Sequence, residues 1–186
     1  MMSRDQMERW WGEVEDLRQS KDAFLLRDPS SPIAAEHRRK LKAMPYFPLE
    51  ERYFFEVVLT KPSKTEVVEI QDTGGRMRKF IRWGHFDFEV DGKPCVLHAY
   101  KSERGDENLF VPFRDKSNGK QTYGAGRYLD LYPERDRTNT GWILDLNLAY
   151  NPYCAYSEKY VCPFVPPENW LEVEILAGEK ATPFHD

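Results

Sequence analysis

The chain has 186 residues, 40% of them hydrophobic and 31% charged, with a formal net charge of −4. That length suits one domain, residues 1–186, able to bury a core without metals or disulfides. The acidic balance argues against a nucleic-acid partner, no run reaches the roughly 18 apolar residues of a membrane span, and the opening Met-Met-Ser-Arg-Asp lacks an apolar secretory segment, so a cytoplasmic protein is expected.

Residues Arg4 to Leu26 carry apolar side chains at helical spacing: Met7, Trp10, Trp11, Val14 and Leu17 form one stripe. Asp28-Pro29-Ser30-Ser31-Pro32 ends this helix. Ser31 with Pro32 then opens a second, short helix that runs to about Met44, where Pro45 and Pro48 break it. Residues 1–44 are thus a helical N-terminal region. Its basic run His37-Arg38-Arg39-Lys40-Leu41-Lys42 reads as a solvated helix face.

From Arg52 the period changes to two, and residues 52–177 read as an antiparallel β core of about nine short strands. Tyr53 to Leu59, Glu66 to Ile70, Arg78 to Trp83 and His85 to Val90 come first. Asp91-Gly92 marks a hairpin, and Cys95 to Lys101 returns as its partner. Leu109 to Phe113, Thr122 to Tyr132, Trp142 to Tyr150 and Leu171 to Leu176 complete the set. The connections are too short for crossover helices. The expected fold is mainly β (α+β): an antiparallel β-barrel or sandwich with two N-terminal helices packed on it.

Polar groups interrupt the apolar runs of the C-terminal third. In Trp142 to Tyr150, Asp145 and Asn147 share a face with Ile143 and Ala149, opposite a complete apolar stripe. Such a strand suits a barrel interior holding a few placed polar groups, and equally a solvated outer face. If the strand before it pairs alongside, one register sets Arg127 beside Asp145 and Asn147; the other sets Tyr128 and Asp130 there. The first is preferred, because Arg127 then neutralises Asp145. Arg127, Asp145 and Asn147 are expected to form one hydrogen-bonded cluster.

The hairpin places His85 opposite His98 with Asp87 on the same side, which raises the option of a metal site such as Fe or Zn. Directly opposed pairs on an outer face also arise without function, and no metal is assigned. Gly124-Ala125-Gly126 precedes no helix and reads as a bulge rather than a phosphate cradle. No dinucleotide or Walker motif names a cofactor. The three cysteines, Cys95, Cys154 and Cys162, are expected as reduced thiols, with Cys154 and Cys162 close together; His185 is the histidine nearest them in sequence.

Several long motifs carry a resemblance. Leu109-Phe110-Val111-Pro112-Phe113-Arg114-Asp115, then Gly119 with Thr122-Tyr123-Gly124-Ala125-Gly126-Arg127-Tyr128-Leu129, resemble the bacterial and archaeal family called domain of unknown function 1684. So do Asp145-Leu146-Asn147, Ala149-Tyr150-Asn151-Pro152-Tyr153-Cys154-Ala155-Tyr156, Cys162-Pro163, Pro166-Pro167-Glu168-Asn169 and Ala177-Gly178-Glu179-Lys180. The resemblance implies a single-domain cytoplasmic protein and no established activity. His85 and His98 lie outside these motifs.

Three functions compete. The first is a small-molecule site, binding or enzymatic, in a β-barrel, where Arg127 anchors an anionic group, Asp145 and Asn147 orient the ligand, Asn151 and Tyr123 stand at the rim and Cys154 lies near. The second is a non-catalytic protein-binding or scaffolding module that docks partners on the Tyr- and Pro-rich loop 150–167. The third is a metal enzyme using His85, Asp87 and His98.

Overall fold

A computed structural model describes residues 2–102 and 105–182; His185 lies outside them. Helix α1 spans Arg4–Arg27. Ser3 caps it, accepting from the Gln6 amide while the Gln6 side chain accepts from the Ser3 amide. Asp28-Pro29 stops it. The second helix, α2, is a single turn, Ala35–Arg38, and not the longer helix the sequence suggested. Ser31 does not cap it: its hydroxyl donates to Leu25 O at the end of α1 and accepts from Ile33 N, tying the turn back.

The strands are β1 (Phe54–Val57), β2 (Leu59–Thr60), β3 (Glu66–Gln71), β4 (Met77–Val90), β5 (Lys93–Ser102), β6 (Leu109–Phe113), β7 (Arg127–Leu131) and β8 (Trp142–Asp145), with a one-turn helix α3 (Pro133–Asp136) between the last two. Two of the expected strands fuse into β4, since an irregularity between Arg82 and Gly84 resets its register without ending it. Asp91 and Gly92 both take positive φ, 49° and 75°, as the tight hairpin requires. The predicted pairs follow: His85 faces His98, Phe86 faces Leu97 and Phe88 faces Cys95.

The order β2-β4-β5-β6-β7, with β3 also on β4, makes a six-stranded antiparallel sheet; β1 and β8 form a separate antiparallel pair. Neither sheet closes on itself, so the barrel expectation is corrected: β6 and β7 join to nothing that returns to β2. Both sheets feed one core that includes Tyr53, Phe86, Leu97, Val111, Leu129 and Leu144. No helix among the described residues is long and apolar enough to cross a membrane.

Three further corrections shape the site. First, β7 pairs with β6 and β8 pairs with β1, so neither register considered for β7 beside β8 exists. Second, β8 ends at Asp145, and Leu146–Leu148 is a 3-10 turn that aims Asp145 and Asn147 into the interior together. Third, residues 171–177 bury Leu171, Val173, Ile175 and Ala177 in strand-like alternation, yet they form no strand. Their polar groups pair partly with the backbone of residues 114–116, the Leu171 amide donating to Arg114 O (2.7 Å) and Val173 O accepting from the Lys116 amide (2.9 Å), and partly with side chains. The Ile175 amide donates to Asp115 Oδ1 (3.1 Å) and the Leu176 amide to Tyr53 Oη (3.2 Å).

Candidate functional site

The inner stripe of α1 is Trp10, Val14, Arg18, Lys21 and Leu25. Trp10, Val14 and Leu25 are buried. Trp11 and Leu17, placed on the same stripe by spacing alone, are 43% and 41% exposed. The middle of this stripe is therefore spanned by two long cations. Arg18 donates from Nη1 to Phe47 O (3.0 Å) and from Nη2 to Asn147 O (3.2 Å), with its guanidinium 4.5 Å from the Tyr46 ring centre. Lys21 pairs with the buried Glu179 and lies 4.4 Å over the Tyr150 ring. Their stems hold the helix away from the sheet, and a cleft of about 590 Å³ opens beneath.

Tyr128, Asp130 and Tyr150 form the floor of this cleft, and Tyr132 and Arg135 one rim. Tyr153, Tyr160 and Cys162 line the opposite end. The floor is set by an antiparallel bridge in which Tyr128 and Tyr150 exchange backbone hydrogen bonds of 2.9 Å each way. Two residues further along β7, Asp130 accepts the Tyr150 hydroxyl at 2.5 Å. Burial pushes the Asp130 carboxyl above its usual range, against the Tyr150 hydrogen bond and the charges of Arg135 and Lys21. Burial likewise pushes the Tyr150 phenol well up, and the Asp130 charge adds to it. The pair can hold or release a proton at higher pH than a free carboxylate, and it presents donor and acceptor to the cleft.

The opposite wall depends on Glu179. It accepts from Tyr156 Oη and from Asn151 N, both at 2.7 Å, besides pairing with Lys21. Gly178 turns the chain there at φ 72°, and a Cβ would stand 2.4 Å from Ala149 O.

The residues picked from sequence do not all meet at this cleft. Arg127 is wholly buried and does not face it. Its guanidinium donates to Asp115 Oδ2 (2.9 Å), to Ile175 O (2.7 Å) and to the carbonyls of Ala177 and Glu179. It thus serves as the missing neighbour of segment 171–177 and is spent on structure. Asp145 and Asn147 are together as expected, but apart from Arg127. Asp145 accepts from Trp10 Nε1 (2.7 Å), Asn147 N (2.9 Å) and Asn147 Nδ2 (2.8 Å). Asn147 also exchanges bonds of 3.0 Å with the Glu50 backbone. Asn147 borders the cleft, whereas Asp145 borders a smaller hollow of about 270 Å³ beside Trp10. The expected single cluster is corrected to two: Arg127 with Asp115, and Asp145 with Asn147 and Trp10.

Asn151 is buried and donates from Nδ2 to Lys180 O (2.9 Å), bracing the Glu179 wall. The Tyr123 hydroxyl lies 3.9 Å from Cys154 Sγ, behind the end of the cleft that Cys162 lines. His85 and His98 are opposed, with ring centres 5.6 Å apart and His85 Nε2 3.3 Å from Asp87. Among the described residues no group of three His, Cys, Asp or Glu side chains is arranged to hold a metal ion. In loop 150–167, Tyr156 is buried, whereas Tyr153 and Phe164 are 38% and 44% exposed.

The residues that do line the cleft were partly visible in sequence. Asp130 interrupts Tyr128-Leu129-Leu131 just as Asp145 interrupts its own run. Arg18 and Lys21 fall on the helical stripe, but their charge kept them off an apolar pattern. Glu179 carried no signal except its place in a family motif.

None of the curated proteins matches the chain. An uncharacterised protein of Haloarcula marismortui, solved by solution NMR, is similar at 35% sequence identity with a TM-score of 0.76, covering 98% of this chain and 100% of that one. The family model described as protein of unknown function (DUF1684) matches residues 39–180, a span that holds β1 to β8, the Asp130–Tyr150 floor and Glu179. The chain belongs to that family, the one its long C-terminal motifs resemble.

Proposed function

We propose that this protein binds a small organic molecule in the cleft between α1 and the Tyr128–Tyr150 floor. The observation that carries this reading is the meeting, in one concave space of about 590 Å³, of a half-buried Asp130–Tyr150 pair with a lining rich in aromatic rings, among them Phe24, Tyr46, Tyr128 and Tyr153. The tyrosine faces suit a ring or an extended apolar body, and Asp130 and Tyr150 fix a polar group on it. A sandwich-like packing of the two sheets, rather than a barrel, provides the scaffold. The anionic group first assigned to Arg127 passes to Lys21 and Arg135 at the rim, whose present partners, Glu179 and Asp136, leave part of each side chain exposed.

A thermal-melt screen of ring-bearing carboxylates and phenols tests the reading. A bound ligand at a hundredfold its Kd is expected to add about 2.7 kcal/mol, a rise in Tm of roughly 5–10 °C for a chain of this size. Tyr150→Phe and Asp130→Asn should each abolish the rise. A ligand whose effect is the same in both variants binds elsewhere and removes the basis of the reading.

A further inference from the structure

One end of the cleft is lined by a cysteine that the floor and walls do not use. Cys162 is half-buried and borders the cleft, while Cys154 is buried behind it. The two thiols are close enough neighbours that each is the leading influence on the other's acidity. The Tyr123 hydroxyl approaches Cys154 Sγ at 3.9 Å from the other side. Cys162 is pinned by its backbone: its amide donates to Thr73 Oγ1 (3.2 Å) and its carbonyl accepts from Thr73 N (3.0 Å). The backbone amides of Cys154 and Tyr153 also act on the Cys162 sulfur, in the direction that favours its charged form.

The pair is chemically unequal. The Cys154 hydrogen bond pulls the Cys162 thiol down, burial opposes it, and the two amides and the Arg78 guanidinium reinforce the lowering. The same hydrogen bond pushes Cys154 up, and burial adds to it. Arg78 is held in place by Asp72 at 2.8 Å and by Val161 O at 2.9 Å. The phenols of Tyr123 and Tyr128 also neighbour the pair, and Arg78 supplies a positive charge that lowers Cys162. The accessible sulfur is thus the one shifted towards the thiolate, and the sheltered sulfur the one shifted towards the thiol. Two sulfurs with no third metal-ligating neighbour among the described residues favour exchange chemistry over metal binding.

We propose that Cys162 and Cys154 form a thiol–disulfide exchange site that reduces small ring-bearing organic disulfides entering the cleft, with Cys162 attacking and Cys154 resolving. The Cys162 thiolate attacks one sulfur of R–S–S–R. The substrate S–S bond breaks, one R–S⁻ leaves and takes a proton from water, and a Cys162–S–S–R mixed disulfide forms. The Cys162 sulfur is then neutral and no longer holds the Cys154 hydrogen. Cys154 loses its proton to solvent and attacks the Cys162 sulfur, expelling the second R–S⁻. The protein dithiol has given up two electrons, two R–SH are produced, and an external dithiol resets the site. The inference rests on the ligand-binding reading only for access through the cleft.

The aromatic disulfide 5,5′-dithiobis(2-nitrobenzoic acid), added to the full chain, tests it. A fast phase should release two thiolates per chain and leave a Cys154–Cys162 disulfide in peptide maps. Cys154→Ala should release one and retain the mixed disulfide on Cys162, and Cys162→Ala should lose the fast phase. Iodoacetamide reads the thiol without any cleft ligand. Cys162 should alkylate at least tenfold faster at neutral pH than in unfolded chain, with a midpoint at least one unit below the ordinary value of about 8.5, and Cys154→Ala should raise that midpoint. An ordinary midpoint, or labels that stay on both sulfurs without forming a bridge, overturns the proposal. Normal alkylation kinetics with a positive melt screen would leave the ligand site standing and remove only the exchange chemistry.

Discussion

Arg127 shows how a single side chain can replace a strand. Segment 171–177 has the alternation of an edge strand but no ladder, and three of the carbonyls in and just after it, those of Ile175, Ala177 and Glu179, accept from one guanidinium. Asp115 completes the arrangement: Oδ2 takes the remaining charge, and Oδ1 accepts the Ile175 and Ser117 amides. A buried pair of this kind is costly to break, because the surviving charge stays in low dielectric. Asp115→Ala should therefore lower unfolding stability by about 3–5 kcal/mol, read from urea melts, while leaving any cleft ligand's relative affinity unchanged. A loss below about 1 kcal/mol would mean that Arg127 finds water or another acceptor. The sequence singled out Arg127, Asp145 and Asn147 as candidate buried polar groups, since each interrupts an apolar run, and left a solvated face equally open to Asp145 and Asn147. It did not show their partners. Periodicity reports which way a side chain points, whereas Asp115 sits in a turn with no period, and pairing between β7 and β8 was assumed from their order alone.

At the scale of elements, the strands with a local signature were the legible ones. Alternation plus Asp91-Gly92 sets the β4–β5 hairpin down to its residue pairs. The non-local pairings β1 with β8 and β6 with β7 needed contacts that no local pattern encodes. Helix α1 is the instructive intermediate case. Apolar spacing groups Trp10, Trp11, Val14 and Leu17, yet the docked face runs through Arg18 and Lys21 to Leu25. Trp10 packs edge-on against Phe54 at 5.4 Å and donates to Asp145, while Trp11 faces outward. Trp10→Ala is expected to cost about 3–5 kcal/mol, and Trp11→Ala no more than about 0.5 kcal/mol. Equal losses in chemical denaturation would show that the helix docks on the face its apolar spacing first indicated.

For the whole molecule, the cleft exists because α1 lies over β7 and the Tyr150 segment while touching them through cations. The family match begins at residue 39, beyond α1, so the floor belongs to the matched region and one wall does not. That cover makes a pH-dependent contribution to stability, since burial raises the Asp130 carboxyl in the folded state above its unfolded value of about 3.9. Between the two values the folded chain holds a proton that the unfolded chain has lost. The contribution is therefore complete below the unfolded value and declines as pH rises through the folded one. Asp130→Asn carries no such proton. The stability of the natural chain minus that of Asp130→Asn should fall as pH is raised from about 4 through the raised value, then flatten. Urea melts of both proteins across that range give the difference directly. A difference that instead grows with pH would mean that Tyr150, Arg135 and Lys21 together stabilise the charged carboxylate more than burial disfavours it, and the Asp130–Tyr150 pair would then act in the cleft as a fixed anion rather than as a proton donor.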